Sequence, residues 1–301
     1  MNQLNELHKK VTEEIIASRT QEVEKLRYAR RDAAKMAEQR AQKGLKTLGE
    51  VGIDVAKLEA INRDRTLEAQ QRYKALEAQM EELSQQPAAV TALEVERAFV
   101  PEGVQVLSPS WVAAFSTQDD QDELAGASLI EAQDLLTGGG CKDYYNWASG
   151  GGWGCLGSGV GEIQSWIDFG FWFRPAVSKF YAVNPLFRFR GFYIVQADDG
   201  FWDCKSARVR VSAWTNVYQY NWKGWNHVDV LDVSDDNINV NKRFDTDRYT
   251  YNSYLLGGGD WAWIQCTIGL YARAQGGGSY AKNDFATGAA NYLCVPQCYV
   301  Y

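Results

Sequence analysis

The chain changes character at Pro87, and this change limits its fold more than any other feature of the sequence. No proline, tryptophan or phenylalanine occurs before that position, whereas all 11 tryptophans and all 12 phenylalanines of the 301 residues follow it. The first part is rich in Glu, Lys, Arg, Gln, Ala and Leu, which are strong helix formers. We therefore expect a helical segment over residues 1–86 and a different type of secondary structure after it.

The helical segment contains a repeat that predicts how its helices pack. Apolar side chains recur every eleven residues, at Leu4, Ile15, Leu26, Ala37 and Leu48, and again at Leu58, Ala69 and Met80. Eleven residues span three turns, so the repeat predicts straight or slightly right-handed packing and not a heptad zipper. Polar residues interrupt this seam at Ser18, Glu22 and Arg40. The seam occupies one side of the helix and needs an apolar partner surface.

A group of glycines divides the segment into two predicted helices, about 3–47 and 54–85. Gly44, Gly49 and Gly52 weaken a continuous helix, and Asp54 is a suitable N-cap for the second one. Three arrangements satisfy this pattern: a helical hairpin or coiled-coil-like stalk, a continuous rod, and a helical layer docked on the rest of the chain. Because one amphipathic arm cannot bury its own seam, we predict an oligomerisation segment and a homo-oligomer.

After residue 160 the hydrophobic pattern changes to a period of two. In SWIDFGFWFRP, Ile167, Phe169 and Phe171 share one face, and Asp168 lies on the other. The segments LFRFRGFYIV, KSARVRVSAW and WAWIQCTIGLYARA alternate in the same way. Such a series of short strands without intervening helices predicts an antiparallel, jelly-roll-like β-sandwich over residues 161–301. The predicted fold class is therefore α+β by segments.

Residues 87–160 are predicted to form a mixed connector between these two parts. The stretch QDELAGASLIEAQDLL, residues 121–136, is typical of a short helix. The stretch CKDYYNWASGGGWGC, residues 141–155, is typical of a glycine-rich loop that carries aromatic side chains. We expect this loop to be ordered and to lie at one end of the sandwich.

The cysteines have no spacing that is typical of a metal site. Cys141 and Cys155 bracket the glycine-rich loop, and a bridge between them is one interpretation. The sequence also leaves open whether Cys294 and Cys298 are oxidised. Cys266 stands among core aliphatic residues, so we interpret it as a small buried hydrophobic side chain.

Aromatic side chains in predicted turns are the strongest indication of function. Trp222 and Trp225 lie in YNWKGWNH, next to His227. Tryptophan and tyrosine in loops, with polar neighbours, stack on sugar rings and also anchor protein interfaces. The predicted ligand-binding residues are Trp222, Trp225, His227, Tyr144, Tyr145, Trp147 and Trp153.

Other kinds of chemistry have weaker support in the sequence. Asp235, Asn237 and Asn239 lie two apart, and on one strand face they would offer oxygen ligands for Ca²⁺ as a cofactor. No spacing selects a pair of carboxylates for glycoside hydrolysis. The pattern GWGCLG lacks the strand and helix that a dinucleotide site needs on either side. We therefore predict a protein without enzymatic activity.

These features predict a self-associating protein whose sandwich binds a glycan or a protein surface through its aromatic loops. A structural subunit of a particle or filament, and a pore-forming or toxin component, are the alternatives. The formal charge of −7, without a basic stripe, argues against nucleic acid as a partner. No apolar run is long enough for a transmembrane segment or a Sec signal peptide, so we expect a soluble protein, cytoplasmic or exported by another route. The order of segments resembles that of trimeric fibre heads and lectin-like toxin components.

Overall fold

The computed structural model describes residues 2–85, 103–118, 131–134, 140–151, 159–198 and 204–301. Two helices, α1 (Asn2–Glu50) and α2 (Val55–Gln85), precede two antiparallel β-sheets that pack face to face as a sandwich. The predicted class, two N-terminal helices followed by an antiparallel sandwich, is confirmed.

The strands are β1 (Gln105–Leu107), β2 (Trp111–Ser116), β3 (Glu131–Asp134), β4 (Cys141–Lys142), β5 (Tyr144–Ser149), β6 (Val160–Phe173), β7 (Lys179–Ala197), β8 (Ser206–Gln219), β9 (Asn221–Trp222), β10 (Asn226–Asp235), β11 (Ile238–Tyr249), β12 (Asn252–Leu256), β13 (Ala262–Gln275), β14 (Tyr280–Phe285) and β15 (Tyr292–Val300).

The first sheet is organised around β7, its longest strand. On one side β7 pairs with β12 and then β11, and on the other side with β15 and then β14. Strands β1 and β4 continue the sheet beyond β15, and β5 continues it beyond β14. The second sheet has the order β10-β8-β13-β6-β2-β3, with the short β9 paired to β8.

The two sheets enclose an apolar core whose composition follows the alternation of the sequence. The predicted inner residues of β6, β7, β8 and β13 are all buried between the sheets: Ile167, Phe169, Phe171, Phe173, Phe187, Phe189, Ala207, Val209, Val211, Ala213, Ile264, Cys266, Ile268 and Leu270. Cys266 is buried and unbridged, as its neighbours predict. Burial from water raises the pKa of its thiol, which therefore stays protonated.

The helices cover the outer faces of the sandwich, one on each side. In α1, Val11, Ile15 and Val23 are buried against a group of aromatic side chains on the second sheet, which includes Trp111, Phe115, Trp166 and Trp263. In α2, Ala69, Tyr73 and Met80 are buried against Phe192, Ile194 and Tyr280 of the first sheet. The molecule therefore has four layers, and the partner of the helical seam within the chain is a sheet and not the other helix.

The turn between the helices lies where the glycines predicted it. Gly52 has a φ of 85°, and the amide of Ile53 donates to the carbonyl of Leu48 at 3.0 Å. Asp54 caps α2, since its Oδ1 accepts a hydrogen bond from the amide of Lys57 at 3.1 Å. Helix α1 continues through Gly44 and Gly49 and ends three residues beyond the predicted boundary.

Two parts of the connector differ from the prediction. Residues Glu131–Asp134, placed by sequence in a helix, form the edge strand β3 and pair with β2. Residues Tyr144–Ser149, placed in a loop, form β5 and pair with β14. In both cases hydrogen bonds to a neighbouring strand override the local preference of the segment. A single sequence does not reveal such pairing. The rest of the predicted helix, residues 121–130 and 135–136, lies outside the described residues.

The disulfide pairing also differs from the interpretation made from sequence. Cys141 is bonded to Cys294, 153 residues away, across the neighbouring strands β4 and β15. Cys204 is also in a disulfide, whereas Cys298 is free and buried. Proximity in sequence suggested Cys155 as the partner of Cys141, but the antiparallel register places Cys294 opposite it.

Candidate ligand-binding site

A cleft of about 670 Å³ lies between α1 and the outer face of the second sheet, and we call it the tryptophan cleft. Three of the predicted ligand-binding residues, Trp222, Trp225 and His227, line it together. The other lining residues are Glu14, Ile15, Ser18, Arg19 and Glu22 of α1, and Trp214, Asn216, Gly224 and Gln265 of the sheet side. The structure thus joins residues from two parts of the chain in one cavity.

The chain builds the sheet side of the cleft from the end of β8 and the tight connection to β10. The buried side chain of Asn216 accepts hydrogen bonds from the amides of Val217 at 2.8 Å and Gly224 at 3.0 Å. Gly224 has a φ of 111°, a conformation that glycine adopts without strain. These interactions hold the connection in one conformation, so Trp222 and Trp225 have defined positions.

The aromatic rings of the cleft form an edge-to-face group. The ring centroid of Trp214 lies 6.1 Å from that of Trp225 and 6.4 Å from that of His227. Trp222 packs edge-on against Tyr218, with 5.3 Å between the centroids. Trp225 is 49% exposed, so part of its ring is available to a ligand. Such geometry fixes the rings while leaving aromatic surface open to the cavity.

A buried ion pair joins α1 to the sheet at the base of the cleft. Arg19 donates to Asp168 through Nε at 3.0 Å and through one terminal nitrogen at 3.3 Å. Gln265 and Thr267 also donate to this carboxylate, and Glu22 accepts from Arg19 at 2.9 Å. Burial alone would lower the pKa of Arg19, but the two adjacent carboxylates more than offset it and raise the pKa.

The guanidinium of Arg19 also lies among indole rings. Its central carbon is 5.3 Å from the ring of Trp166 and 5.9 Å from the rings of Trp214 and Trp225. Aromatic rings of the cleft therefore already surround one positive charge. Cation–π attraction between the guanidinium and these rings stabilises the position of Arg19.

Three more of the predicted ligand-binding residues, Tyr144, Tyr145 and Trp147, lie on the other sheet. Tyr144 is buried in the sandwich core, because it points inward from β5. Trp147 packs on Tyr280 at 6.0 Å, and the ammonium of Lys282 lies 5.5 Å from the ring of Tyr145. These side chains do not contribute to the tryptophan cleft. Trp153 lies outside the described residues.

The predicted calcium ligands are not on one strand face. Asp235 ends β10, Asn237 lies in the turn that follows, and Asn239 is on β11 opposite Gln196. Hydrogen bonds from Asp236 and Asn237 lower the pKa of Asp235. Because the turn interrupts the strand, the spacing of two does not place the three side chains on one strand face. Within the described ranges, no group of three or more His, Cys, Asp or Glu side chains has the arrangement of a metal site.

Sequence reasoning missed the α1 side of the cleft. Glu22 was noted as a polar interruption of the apolar seam, and Ser18 likewise, but the surface that these residues face was not predictable. Asp168 gave a similar signal, since it is a carboxylate in the aromatic strand SWIDFGFWF. A polar residue on an otherwise apolar face of a helix, together with one on an otherwise apolar strand, is the sequence pattern that a buried ion pair produces.

Comparisons with known proteins add little to this geometry. No protein-family model matches the chain, and no curated protein matches it. One solved structure with some similarity is TmCBM61, a carbohydrate-binding module, in complex with β-1,4-galactotriose. It is 8% identical and covers 66% of this chain and 88% of its own, with a TM-score of 0.18. A superposition this weak carries no argument about the present chain. None of the helices described here is long and apolar enough to cross a membrane.

Proposed function

We propose that this protein binds carbohydrate without enzymatic activity, and that the tryptophan cleft is the binding site. The observation that carries the proposal is the convergence of Trp214, Trp222 and Trp225 in a single cavity of about 670 Å³. A cavity of this size suits a small ligand. Indole rings offer flat apolar surface for the C–H face of a sugar ring.

Polar side chains in the same cleft supply the groups that sugar hydroxyls need. His227 and Gln265 stand on the sheet side, and Ser18 and Glu22 on the side of α1. Hydroxyl groups both donate and accept hydrogen bonds, so a mixed set of imidazole, amide, hydroxyl and carboxylate suits them. The combination of stacking surface and mixed polar groups favours a sugar over a purely apolar ligand.

Glycan-array screening followed by calorimetry tests this function. For the oligosaccharide that binds best, we expect Trp225→Ala and Trp222→Ala each to weaken binding about ten-fold, which is ~1.4 kcal/mol. Phe180→Ala is the matched control, because Phe180 is an exposed aromatic residue on the first sheet. Binding that is unchanged in both tryptophan variants, or absent for every glycan, would contradict the proposal.

Self-association is the second part of the proposal and depends on the ends of the helices near their turn. We define the exposed arm as residues 28–50 of α1 and 55–68 of α2, where most side chains face solvent. Met36, Ile61 and Leu67 are apolar and exposed there. The eleven-residue seam continues into this arm at Ala37, Leu48 and Leu58, whose side chains are half-buried, so a second copy of the chain is a matching partner. Oligomerisation would add avidity to weak glycan binding.

The molar mass of the full chain by light scattering tests self-association. We expect an oligomer for the natural protein and a shift towards monomer for Met36→Glu combined with Ile61→Glu. Val177→Glu is the control, because Val177 is exposed outside the arm. A monomeric natural protein at micromolar concentration would contradict oligomerisation and leave the cleft unaffected. Ordered assemblies without glycan binding would favour a structural subunit instead.

A further inference from the structure

The charges around the tryptophan cleft bear on which sugars it accepts, and this inference rests on the proposed function. Two carboxylates, Glu14 and Glu22, line the α1 side, with 43% and 41% of their side chains exposed. Arg19 is the one Lys or Arg among the described residues that line the cleft. The balance of charge at this wall is therefore negative.

Arg19 is not available to neutralise an anionic ligand. Its side chain is 8% exposed, and it already donates to Asp168, Glu22 and Thr267. Asp168 is fully buried directly behind it and compensates its charge. A carboxylated sugar in the cleft would therefore face Glu14 and Glu22 without a free cationic partner, and like charges repel each other at short range.

Glu22 is the better placed of the two carboxylates to contact a ligand. Glu14 lies 3.9 Å from the ammonium of Lys10, which also donates to the hydroxyl of Tyr218 at 3.3 Å. Lys10 thus offsets part of the charge of Glu14. Within the part of the chain that the structure describes, the one cation that Glu22 contacts is the guanidinium of Arg19. Asp168 already pairs with the same guanidinium, so the charge of Glu22 is less fully neutralised.

We propose that the cleft selects glycans that carry free amino groups, such as oligomers of glucosamine, over N-acetylated and carboxylated ones. The sugar ring stacks on Trp225, and its ammonium group donates to Glu22. Aromatic rings and a carboxylate together stabilise a cation through cation–π attraction and charge-assisted hydrogen bonds. The arrangement around Arg19, with three indoles and two carboxylates, shows that this environment holds a positive charge.

Calorimetry with three tetrasaccharides of known chemistry tests the selection at neutral pH. The probes are the tetramers of glucosamine, of N-acetylglucosamine and of galacturonic acid. We expect the glucosamine tetramer to bind the full-length protein about ten-fold more tightly than its acetylated form, and the galacturonic acid tetramer to bind most weakly. Added salt should reduce the preference for the amine, because partly exposed charges are screened.

Two variants connect this preference to the carboxylates of the cleft. Glu22→Gln should reduce the ratio between the glucosamine and N-acetylglucosamine affinities to about two-fold or less, and Glu14→Gln should reduce it by a smaller factor. Glu24→Gln is the control, because Glu24 is exposed on α1 and does not line the cleft. Circular dichroism confirms that each variant is folded, and Glu14→Gln serves as the test if Glu22→Gln is not.

The results separate this inference from the proposed function. Equal affinity for the three tetramers, or tighter binding of galacturonic acid, would overturn the charge selection while sugar binding itself stands. A preference for the amine that persists in both glutamine variants would also overturn it. If none of the tetramers and no glycan of the array binds, both the proposed function and the selection are wrong.

Discussion

Arg19 and Asp168 are the residues on which the position of α1 most depends. Both are buried, one on the helix and one on β6, and they meet at the base of the tryptophan cleft. Desolvating two charges costs free energy, and their mutual attraction with additional hydrogen bonds offsets that cost only while both are present. The pair therefore contributes more to the specific placement of the helix than to net stability.

Removing one member of this pair should be far more harmful than removing both. We expect Arg19→Ala to lower the free energy of unfolding by about 3–5 kcal/mol, because it leaves the buried carboxylate of Asp168 without its cation. The double variant Arg19→Met with Asp168→Leu should recover most of this loss. Urea unfolding at neutral pH measures both values.

Glu22→Gln is the control for this experiment. Its side chain is 41% exposed, so losing its ion pair with Arg19 should cost about 1 kcal/mol or less. A loss below about 1 kcal/mol for Arg19→Ala would show that α1 does not depend on the buried pair.

A second polar cluster has the same role for α2 on the first sheet. The ammonium of Lys282 lies 3.0 Å from Glu77 of α2 and 3.0 Å from Asp284. Burial alone would lower the pKa of Lys282, but these carboxylates outweigh it and raise the pKa. The hydroxyl of Tyr280 donates to Glu77 as well, and its ring stacks on Tyr73 with 4.7 Å between the centroids.

The tyrosines of this cluster should make the protein sensitive to alkali. Burial, and for Tyr280 also the charge of Glu77, raises the pKa of both phenols, to about 12 for Tyr73. The folded protein therefore keeps protons that the unfolded chain loses near pH 10. Their stabilisation is complete below about pH 10 and is lost as the pH rises above it, towards the raised values.

Urea unfolding at a series of pH values from about 8 to about 11 measures this loss. Tyr280→Phe should make the alkaline decrease in the free energy of unfolding smaller, because one of the raised groups is gone. Tyr28→Phe is the matched control, since Tyr28 is 75% exposed on α1 and should leave the decrease unchanged. An equal decrease in the natural protein and in Tyr280→Phe would count against the cluster.

Among the elements, the connector strands gain most from a covalent link. Strand β4 has two residues, and its Cys141 is bonded to Cys294 of β15. A strand of this length has little pairing energy of its own, so the disulfide keeps the start of β5 next to the first sheet. The bond closes a loop of 153 residues, which restricts the unfolded chain more than a local bridge would.

The variant Cys141→Ser with Cys294→Ser should be less stable than the natural protein by about 2–5 kcal/mol. Chemical denaturation without reductant measures the difference. Treating the natural protein with reductant should lower stability at least as much, because the disulfide of Cys204 is reduced too. A difference below about 1 kcal/mol would show that strand pairing alone holds β4.

The strands also show how far local patterns predict elements. The alternation of Ile167, Phe169 and Phe171 predicted the inner face of β6, because a strand with one buried face leaves that pattern directly in the sequence. Strand β3 has only four residues and no such pattern, so its pairing with β2 decides its structure. For β5, the glycines after residue 149 favoured a loop, although buried and less buried side chains alternate in the short stretch YYNWAS.

In the whole molecule, the helices and the sandwich depend on each other. Helix α1 covers Trp111, Trp166 and Trp263, and each helix supplies the partner of a buried charge on the sheet beneath it. The sandwich without its helices would expose these aromatic faces to water. It would also leave Asp168 and Lys282 without their helix partners.

Deleting residues 1–85 should therefore give a protein that aggregates or unfolds at a lower urea concentration than the full chain. Exposed contiguous apolar surface is the physical reason. Light scattering and urea unfolding of the truncated chain check this outcome. A monomeric truncated protein with an unchanged unfolding midpoint would mean that the four layers are not energetically coupled.

The sequence by itself determined the secondary structure of the long elements and the inner faces of the strands, because periods of 3.67 and 2 are local properties of the chain. The same reasoning selected Trp222, Trp225 and His227, which are close together in the sequence. Only the tertiary structure decided what the helical seam packs against, which cysteines pair, and that Glu14, Arg19 and Glu22 complete the cleft. These outcomes depend on contacts between residues more than 100 positions apart. Because the hydrophobic effect is non-directional, a local apolar pattern predicts that a face is buried but not which surface covers it.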